Sequence, residues 1–176
     1  MTNHQLINQT SGKTEYYTPP EIVEAARALM GSIDLDPASS KRANKTIKAN
    51  QFFTEQENGL DHPWFGNVWM NHPFLRETNK LWIENIIREY EVRHVVQACC
   101  ITFASTSEKW FQPLLNFPQC YLSPRTNYYL PDSTKKKGVT KGSVVTFLPP
   151  RNQNYFETIG KFRKHFCKHG KIMLPY

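Results

Sequence analysis

Residues 67–74, NVWMNHPF, join a short apolar run to an amide, an imidazole, a proline and an aromatic ring. The apolar residues 68–70 predict a buried strand, because short continuous apolar runs are typical of strands covered on both faces. Pro73 has no backbone N–H to donate to a sheet, so the strand must end before it. A turn would more often use Gly, Asp or Ser here. The stretch therefore indicates either an ordinary turn or a site at a strand end.

The sequence on either side of this strand alternates between helical and extended patterns. Residues 93–103, RHVVQACCITF, show almost no polar alternation, which predicts a strand buried on both faces. Strands of that kind belong to parallel sheets with helices on both faces. We therefore predict an α/β fold with a mostly parallel sheet, in which late strands form an antiparallel edge. The helices are predicted at 18–31, 38–49, 77–92, 106–117 and 154–170, and the strands at 32–37, 52–53, 68–70, 93–103, 119–124, 126–131 and 142–149.

Two helices and one connection carry more specific expectations. Thr18 is expected to cap the first helix, and Gly31 to end it. The stretch between the strands at 32–37 and 68–70 is too short for two full strand–helix units, so the sheet is expected to be trimmed on that side. Apolar spacing predicts the core-facing residues of the third helix: Leu81, Ile83, Ile86, Ile87 and Tyr90.

Composition limits the classes of protein that this chain can belong to. The 176 residues are 39% hydrophobic and 13% aromatic, which suits one domain with its own core. No segment reaches the roughly 20 apolar residues of a membrane helix, and the start lacks the pattern of a signal peptide. Residues 1–13 are expected to form a flexible arm, and 14–176 a single domain. The four cysteines show no metal-ligand spacing, so we predict buried free thiols in a reducing cytoplasm and no metal.

The net charge of +7 favours a polyanionic partner, since neutralising phosphates releases counterions. The basic residues cluster in KRANKTIK at 41–48, STKKKGVTKG at 133–142 and KFRKHFCKHGK at 161–171. The second cluster lies between two late strands. It is either a flexible arm that touches the phosphates of a nucleic acid or a solvated loop.

A second strand end, DLDPAS at 34–39, also carries a chemically distinctive residue. Asp36 ends the predicted strand, and Pro37 breaks the strand and opens the next helix. Ligands of parallel α/β sheets bind beyond the carboxyl ends of the strands. A carboxylate there accepts hydrogen bonds from a ligand ammonium or hydroxyl group. The other interpretation is that Asp36 caps the next helix.

The NHPF stretch offers acceptors at the neighbouring strand end. The Asn71 amide oxygen and the next backbone carbonyl form two acceptors suited to an exocyclic amine. Pro73 fixes the backbone between them and Phe74, whose ring would stack on the ring that carries the amine. Two such acceptors stabilise the positive charge that develops on the nitrogen, which is usually a large term in catalysis. The other interpretation is a strand-to-loop turn, in which Asn71 and Pro73 are present only because both residue types favour turns.

The order and spacing of these motifs carry a resemblance to a known family. YTPP at 17–20 comes first, followed by IDLDPAS at 33–39, FFTEQENGL at 52–60 and NVWMNHPF, and then by LWIENII, VVQACC and PRTNYYLP…KGSVVTFLPP. Over residues 16–150 the chain resembles the phage-type DNA N6-adenine methyltransferases, the small Dam-like enzymes of phages and prophages.

This resemblance implies a Rossmann-like, S-adenosyl-L-methionine-dependent methyltransferase fold. The sheet would be trimmed and mostly parallel, with an antiparallel edge and helices on both faces. The resemblance also implies methyl transfer to the exocyclic N6 amine of adenine in DNA, with the target base flipped out of the duplex and no metal. The protein would act in the cytoplasm of a bacterial host, encoded by a phage or prophage, in restriction–modification or regulation.

The resemblance further assigns roles to residues of this sequence. NHPF stands at the family's [DNS]PP[YFW] motif, so Asn71 and the His72 carbonyl would hold the target amine. Pro73 would keep the backbone rigid, and Phe74 would stack on the base. The residues expected along the cofactor are Tyr17, Thr18, Pro19, Asp36, Pro37, Ala38, Asn71 and Glu55, with Glu57 as a second candidate for the ribose carboxylate. The residues expected on DNA are Lys135, Lys136, Lys137, Lys141 and Arg125.

His72 departs from the family pattern, because it replaces the first proline of the motif. The acceptor at this position is a main-chain carbonyl, which any residue supplies, so catalysis is expected to survive while an imidazole enters the pocket. The glycine-rich cofactor loop of larger methyltransferases is absent, and DPASS stands in its place. Three alternatives stay open: the same chemistry on cytosine N4, a cofactor- or DNA-binding module impaired by His72, and a nucleic-acid-binding domain in which both motifs are only turns.

Overall fold

The strands of the computed structural model form one seven-stranded sheet that carries helices on both faces. The structure describes residues 16–130, 134–135 and 140–175, so the arm predicted at 1–13 lies outside the described residues. Short 3-10 helices occupy Gly59–Asp61 and Gln112–Asn116. The other elements are, in chain order, α1 (Pro20–Met30), β1 (Leu35–Asp36), α2 (Asn44–Ile47), β2 (Gln51–Phe52), β3 (Gly66–Met70), α3 (Asn79–Glu91), β4 (Val95–Phe103), β5 (Gln119–Leu122), β6 (Ser143–Leu148), α4 (Tyr155–Phe166) and β7 (Gly170–Met173).

The strand order β2–β1–β3–β4–β6–β5–β7 divides the sheet into two parts. β2, β1, β3 and β4 pair in parallel, whereas β6 and β7 run antiparallel to the strands beside them. The α/β class and the mostly parallel sheet are confirmed, and β7 forms an antiparallel edge. β6 differs from the prediction, because it lies inside the sheet between β4 and β5. The trimmed side consists of β2 and α2, which have 2 and 4 residues.

Alternating side chains of the central strands build one core on each face of the sheet. On β3, Trp69 packs into the core that α1 and α4 cover, whereas Val68 and Met70 pack into the core that α3 covers. All three side chains are fully buried. This confirms the double-faced burial that the apolar run predicts. It also gives the residues that follow β3 a rigid point of attachment.

Pairing between β1 and β3 brings the two chemically distinctive strand ends together. Leu35 lies opposite Val68 in a parallel register, so both strands leave the sheet at the same edge. Asp34 joins the two strands at their other end. Its backbone N–H donates to the Asn67 carbonyl, and its Oδ2 accepts from the Asn67 N–H, each at 2.8 Å. The register therefore places the DLDP and NHPF motifs side by side.

Two predicted elements differ from the structure, and one observed strand was not predicted. The α-helix predicted at 106–117 is wrong: the segment forms turns and the 3-10 helix at Gln112–Asn116, and Pro113 lacks the N–H that an α-helix needs. In the described part of 126–131, the predicted strand is reduced to isolated bridges at Tyr129. β7 falls in no predicted strand, because its side chains alternate between exposed and half-buried and give no apolar run.

Three expectations about single residues are also corrected. Thr18 does not cap α1, which has Pro19 at its N-cap and no capping side chain. Leu81 is 50% exposed, and the neighbouring Trp82 is buried in its place, because Trp82 lies three residues after Asn79 and four before Ile86 on the buried face of α3; Ile83, Ile86 and Tyr90 are buried as predicted. Cys167 is exposed, whereas the other three cysteines are buried and free as predicted.

Gly66 provides a test of how tightly β1 and β3 are joined. It begins β3 at φ +66°, and a Cβ on it would lie 2.5 Å from Asp34 Oδ2. Gly66→Ala is expected to lower the free energy of unfolding by roughly 3 kcal/mol, because left-handed strain adds to the displacement of Asp34. Urea unfolding followed by circular dichroism measures this loss.

Gly31 is the matched control for this substitution. Its φ is +87°, but no atom lies within 4 Å of the position that a Cβ would take. Gly31→Ala should therefore cost about 1 kcal/mol, from backbone strain alone. Equal losses in the two variants would contradict the tight junction between β1 and β3.

Candidate active site

A cleft of about 1710 Å³ opens at the carboxyl ends of β1, β2 and β3. Parallel α/β sheets bind their ligands at this edge. The cleft is larger than the roughly 300–1,000 Å³ of common small-molecule pockets, so it has room for two ligands side by side. The predicted site residues that line it are Tyr17, Thr18, Pro37, Ala38, Glu55, Glu57, Asn71, His72, Pro73 and Phe74.

The side-chain amide of Asn71 is held through its nitrogen only. Nδ2 donates to the Tyr16 backbone carbonyl at 2.7 Å, which fixes the orientation of the amide. Oδ1 is buried and has no hydrogen-bond partner among the described residues. A buried polar atom without a partner costs about 1–3 kcal/mol, which is typical of an atom kept for a ligand. Asn71 lines the cleft, and its oxygen is an acceptor without a partner among the described residues.

Four aromatic rings surround the ring of Phe74. The Phe103 centroid is 4.3 Å away, and the Tyr16 ring lies 6.5 Å away at an interplanar angle of 24°. Tyr128 and His72 approach edge-on, at 5.8 and 5.6 Å. These contacts restrict the rotation of Phe74, which stays only partly buried. The ring is thus a fixed surface in the cleft wall on which a planar ligand could stack.

The His72 imidazole belongs to the wall of the cleft rather than to its open space. It is 1% exposed, and its Nε2 donates to Asn79 Oδ1 at 3.1 Å. The ring stacks on Trp82 at a centroid distance of 6.2 Å. Burial lowers the pKa of His72 to about 4, so the imidazole is neutral at physiological pH. His72 therefore adds no positive charge to the cleft.

Asp36 is fully buried behind the cleft wall. Its Oδ1 accepts from the Ala38 N–H at 3.2 Å, whereas Oδ2 makes no hydrogen bond of regular geometry with the described residues. Burial raises the pKa of the Asp36 carboxyl to about 7, against the opposing effects of the Ser39 hydroxyl and the Ala38 N–H. The Thr18 hydroxyl is also buried and unpaired within the described residues. Of these two residues, Thr18 lines the cleft, whereas Asp36 lies behind Pro37 and Ala38 and does not line it.

The other interpretation of Asp36, as a cap of the next α-helix, is wrong. α2 begins only at Asn44, and Asp36 accepts from Ala38 within a turn. Pro19 is buried at the N-cap of α1, and the neighbouring Pro20 lines the cleft instead.

Tyr17 ties the N-terminal segment to other parts of the cleft. Its backbone N–H and carbonyl both bond to Tyr129, at 2.9 Å each, and its hydroxyl lies 3.4 Å from Ser40 Oγ. Tyr129 also bridges to Lys135. Tyr129 therefore lies between Lys135 and the segment that carries the YTPP motif.

Two carboxylates follow β2 along the cleft. Glu57 Oε2 accepts from the backbone N–H and the hydroxyl of Thr54, both at 2.8 Å, and these bonds lower the pKa of Glu57. Glu55 is exposed and has no such bond within the described residues. Of the two candidates for binding a ribose hydroxyl, Glu55 is therefore the one whose carboxylate is not held by Thr54.

Two of the lysines predicted to contact DNA pack on aromatic rings. Lys135 Nζ lies 5.4 Å from the centre of the Tyr129 ring, and Lys141 Nζ lies 5.3 Å from that of Phe103. Phe103 packs in turn against Phe74, with the two rings tilted by 38°. Lys141 therefore holds a positive charge beside the aromatic wall of the cleft.

The remaining predicted DNA contacts and part of the KRANKTIK cluster differ in where they lie. Arg125 is exposed outside the cleft. Lys136 and Lys137 lie outside the described residues. Three basic residues of the KRANKTIK cluster line the cleft without having been assigned there by the sequence analysis: Lys41, Arg42 and Lys45.

Three other residues shape the site without a clear signal in the sequence. Tyr16 contributes a backbone carbonyl, which no side chain reveals. In the sequence, Asn79 is an ordinary polar residue at the start of a helix, and only the fold shows that it contacts His72. Phe103 could have been found, because it ends an apolar strand that is parallel to β3 and leaves the sheet at the same edge.

Within residues 16–130, 134–135 and 140–175, no group of three or more His, Cys, Asp or Glu side chains is placed to hold a metal ion. Burial raises the pKa of Cys100 to about 12, and burial also raises the pKa of Cys99, so neither thiol ionises readily. In the same part of the chain, no helix has the length and apolar character that crossing a membrane requires.

Comparison with known proteins identifies one family. The family model described as DNA N-6-adenine-methyltransferase (Dam) matches residues 8–173, nearly the whole chain. The curated proteins include no match. The matched range contains the YTPP, DLDP and NHPF motifs together with the cleft that they line.

Asp36→Asn should change how stability depends on pH. The folded pKa of about 7 lies above the ordinary value of 3.8, so the carboxyl stabilises the fold below pH 4 and loses this contribution as the pH rises through 7. The variant should therefore be more stable than the wild type at pH 8, by up to about 4 kcal/mol, with the difference vanishing near pH 4. Urea unfolding of both proteins between pH 4 and 8.5 measures the difference, to which His72 contributes equally in each. A difference that does not vary with pH would contradict the buried carboxyl.

Proposed function

The chain belongs to the DNA N-6-adenine-methyltransferase (Dam) family, and on this premise we propose that it transfers a methyl group from S-adenosyl-L-methionine to the N6 amine of adenine in DNA. The observation that carries the proposal is the Asn71 amide, which is anchored through its nitrogen and has an unpaired oxygen. The strand order and the place of the cleft support a Rossmann-like methyltransferase fold.

Asn71 acts on the target amine through its oxygen. An aromatic amine is a weak nucleophile, because its lone pair is delocalised into the ring. Asn71 Oδ1 and the His72 carbonyl accept the two N–H groups and draw the nitrogen toward tetrahedral geometry. Both acceptors stabilise the positive charge that develops on the nitrogen, and the Tyr16 carbonyl keeps the amide in the required orientation.

Phe74 and its aromatic neighbours hold the base that carries this amine. A base must leave the duplex to reach the cleft, and stacking on a protein ring offsets the cost of unstacking. Phe74 is already fixed by Phe103 and Tyr128, so little side-chain freedom is lost when a base stacks on it. Pro73 limits the backbone between the amide and this ring.

The residues proposed for the cofactor fit a ligand with a positive charge and hydroxyl groups. When bound, S-adenosyl-L-methionine supplies a methyl group on a cationic sulfur. Asp36 and Thr18 contribute buried polar atoms that lack regular partners, beside Pro37 and Ala38. The segment 17–19 closes this side of the cleft, and Glu55 is the proposed partner of the ribose at the β2 end.

The residues proposed to contact DNA are Lys135, Lys141 and Arg125, together with Lys136 and Lys137, which follow Lys135 in the sequence. Lys141 stands beside the aromatic wall, where a phosphate next to a flipped base would lie. In this proposal residues 14–176 form a single methyltransferase domain, encoded by a phage or prophage. It acts in the cytoplasm of the bacterial host in restriction–modification.

The family match supports none of the alternatives that the sequence leaves open. Transfer to cytosine N4 would use the same acceptors, but the family is one of adenine methyltransferases. An impaired module would be expected if His72 disturbed the motif, yet the neutral imidazole is packed and hydrogen-bonded.

Asn71→Ala is expected to lower the rate of methyl transfer by at least about 100-fold, because one of two acceptors at the reacting nitrogen is lost. Cofactor affinity, measured by calorimetry, should stay within about threefold of the wild type, since the remaining cofactor contacts are intact. Asn116→Ala removes an exposed asparagine outside the cleft and serves as the control. Wild-type turnover by Asn71→Ala would refute the role of the amide.

Replacing Lys135, Lys136 and Lys137 with Ala is expected to weaken DNA binding and to flatten its dependence on salt. Each lost phosphate contact removes roughly 0.9 from the slope of log affinity against log salt concentration. Fluorescence anisotropy with a duplex at several salt concentrations measures the slope. Replacing Lys161, Lys164 and Lys168 removes the same charge from the exposed face around α4 and should leave the slope nearly unchanged. Equal effects of the two triple variants would contradict a local DNA surface.

A further inference from the structure

The connection between β3 and α3 carries both Asn71 and Phe74, and it is held at three points. Asn71 is tied to the Tyr16 carbonyl on one side. Pro73 restricts the backbone in the middle, and its carbonyl accepts from the Leu75 N–H at 2.8 Å. The third point of attachment is the buried side chain of His72.

His72 reaches across the connection to the first residue of α3. Its Nε2 lies 3.1 Å from Asn79 Oδ1, and both side chains are buried. The ring is stacked on Trp82 of the same helix and meets Phe74 edge-on. The imidazole of His72 therefore contacts α3 at Asn79 and Trp82, and it also contacts Phe74. The backbone of His72 directly follows that of Asn71.

The chemistry of this contact fixes which form of the ring is present. An amide oxygen only accepts, so Nε2 must carry the proton. Burial keeps the imidazole neutral at physiological pH, which leaves Nδ1 without a proton and without a partner among the described residues. The ring thus donates a single hydrogen bond, from Nε2 to Asn79 Oδ1, and this bond sets the orientation of the ring.

We propose, on the basis of the proposed function, that His72 and Asn79 form a latch that positions Asn71 and Phe74 for methyl transfer. Neither residue of the latch is required to touch the substrate through its side chain. The latch joins the strand end to the start of α3, and the packed ring transmits that attachment to Phe74. Loss of the latch would let the acceptor and the stacking ring shift while the cofactor side of the cleft stays intact.

The test compares variants that remove the hydrogen bond with variants that keep it. His72→Phe keeps a ring but removes the donor, and Asn79→Leu keeps the size but removes the acceptor. Each is expected to lower kcat on the order of 10- to 100-fold, since small misplacements of reacting groups have effects of this size. KM for S-adenosyl-L-methionine should change little. His72→Gln, which retains a donor at similar reach, and Asn79→Asp, which retains an oxygen acceptor, should recover much of the rate.

The double variant His72→Phe with Asn79→Leu separates a latch from two independent effects. It should be no slower than the worse single variant, because the same bond is already absent. A rate equal to the product of the two single losses would overturn the proposal, as would wild-type kcat in Asn79→Leu. Asn85→Leu replaces another buried asparagine of α3 and is the matched control for stability losses, with kcat expected to be unchanged.

An activity-independent measurement keeps this test distinct from that of the proposed function. Absence of methyl transfer by the wild type would count against the proposed function alone. Nuclear magnetic resonance then tests the latch: Asn79→Leu should shift or broaden the signals of the Asn71 side-chain amide and of Phe74, with the signals of α1 unmoved. Unchanged Asn71 and Phe74 signals in a folded variant would overturn the latch.

Discussion

The parallel pairing of β1 with β3 is the constraint on which the rest of the site depends. Because Leu35 lies opposite Val68, the two strands end together, and the residues after each must share one edge of the sheet. The buried side chains of β3 on both faces prevent that edge from shifting. The residues proposed for the cofactor after β1 therefore lie next to Asn71 and Phe74, which follow β3.

Polar atoms buried without partners at this edge lower the free energy of unfolding, and packing elsewhere in the fold must offset that loss. Asp36 and Thr18 bury polar atoms without regular partners, and Asn71 does so with its oxygen. Buried unpaired polar atoms are rare in folded proteins and tend to mark functional sites. Packing on both faces of a sheet with such continuous apolar strands supplies the stability that permits them. Within the described residues, buried polar atoms without a partner also occur away from the cleft, for example at Thr102 and Thr158, so it is the position beside the cleft that distinguishes Asn71 and Thr18.

The sequence predicts those features that follow from chain periodicity and from the chemistry of strand ends. The buried strands, α1, α3 and α4, and the acceptor at Asn71 are of this kind. It does not predict contacts made by backbone atoms or by distant side chains, such as Tyr16 with Asn71 or His72 with Asn79. It misjudges the segment 106–117, because helical apolar spacing there competes with a proline that a 3-10 turn tolerates better.

The most direct measurement of the central claim is the transfer of labelled methyl from S-adenosyl-L-methionine to unmethylated DNA, followed by separation of the nucleosides. The account predicts label in N6-methyladenine and in no other nucleoside. Label in N4-methylcytosine would contradict the assignment of the base. No label in either nucleoside, from a folded protein with cofactor bound, would contradict the assignment of the cleft as a methyltransferase site.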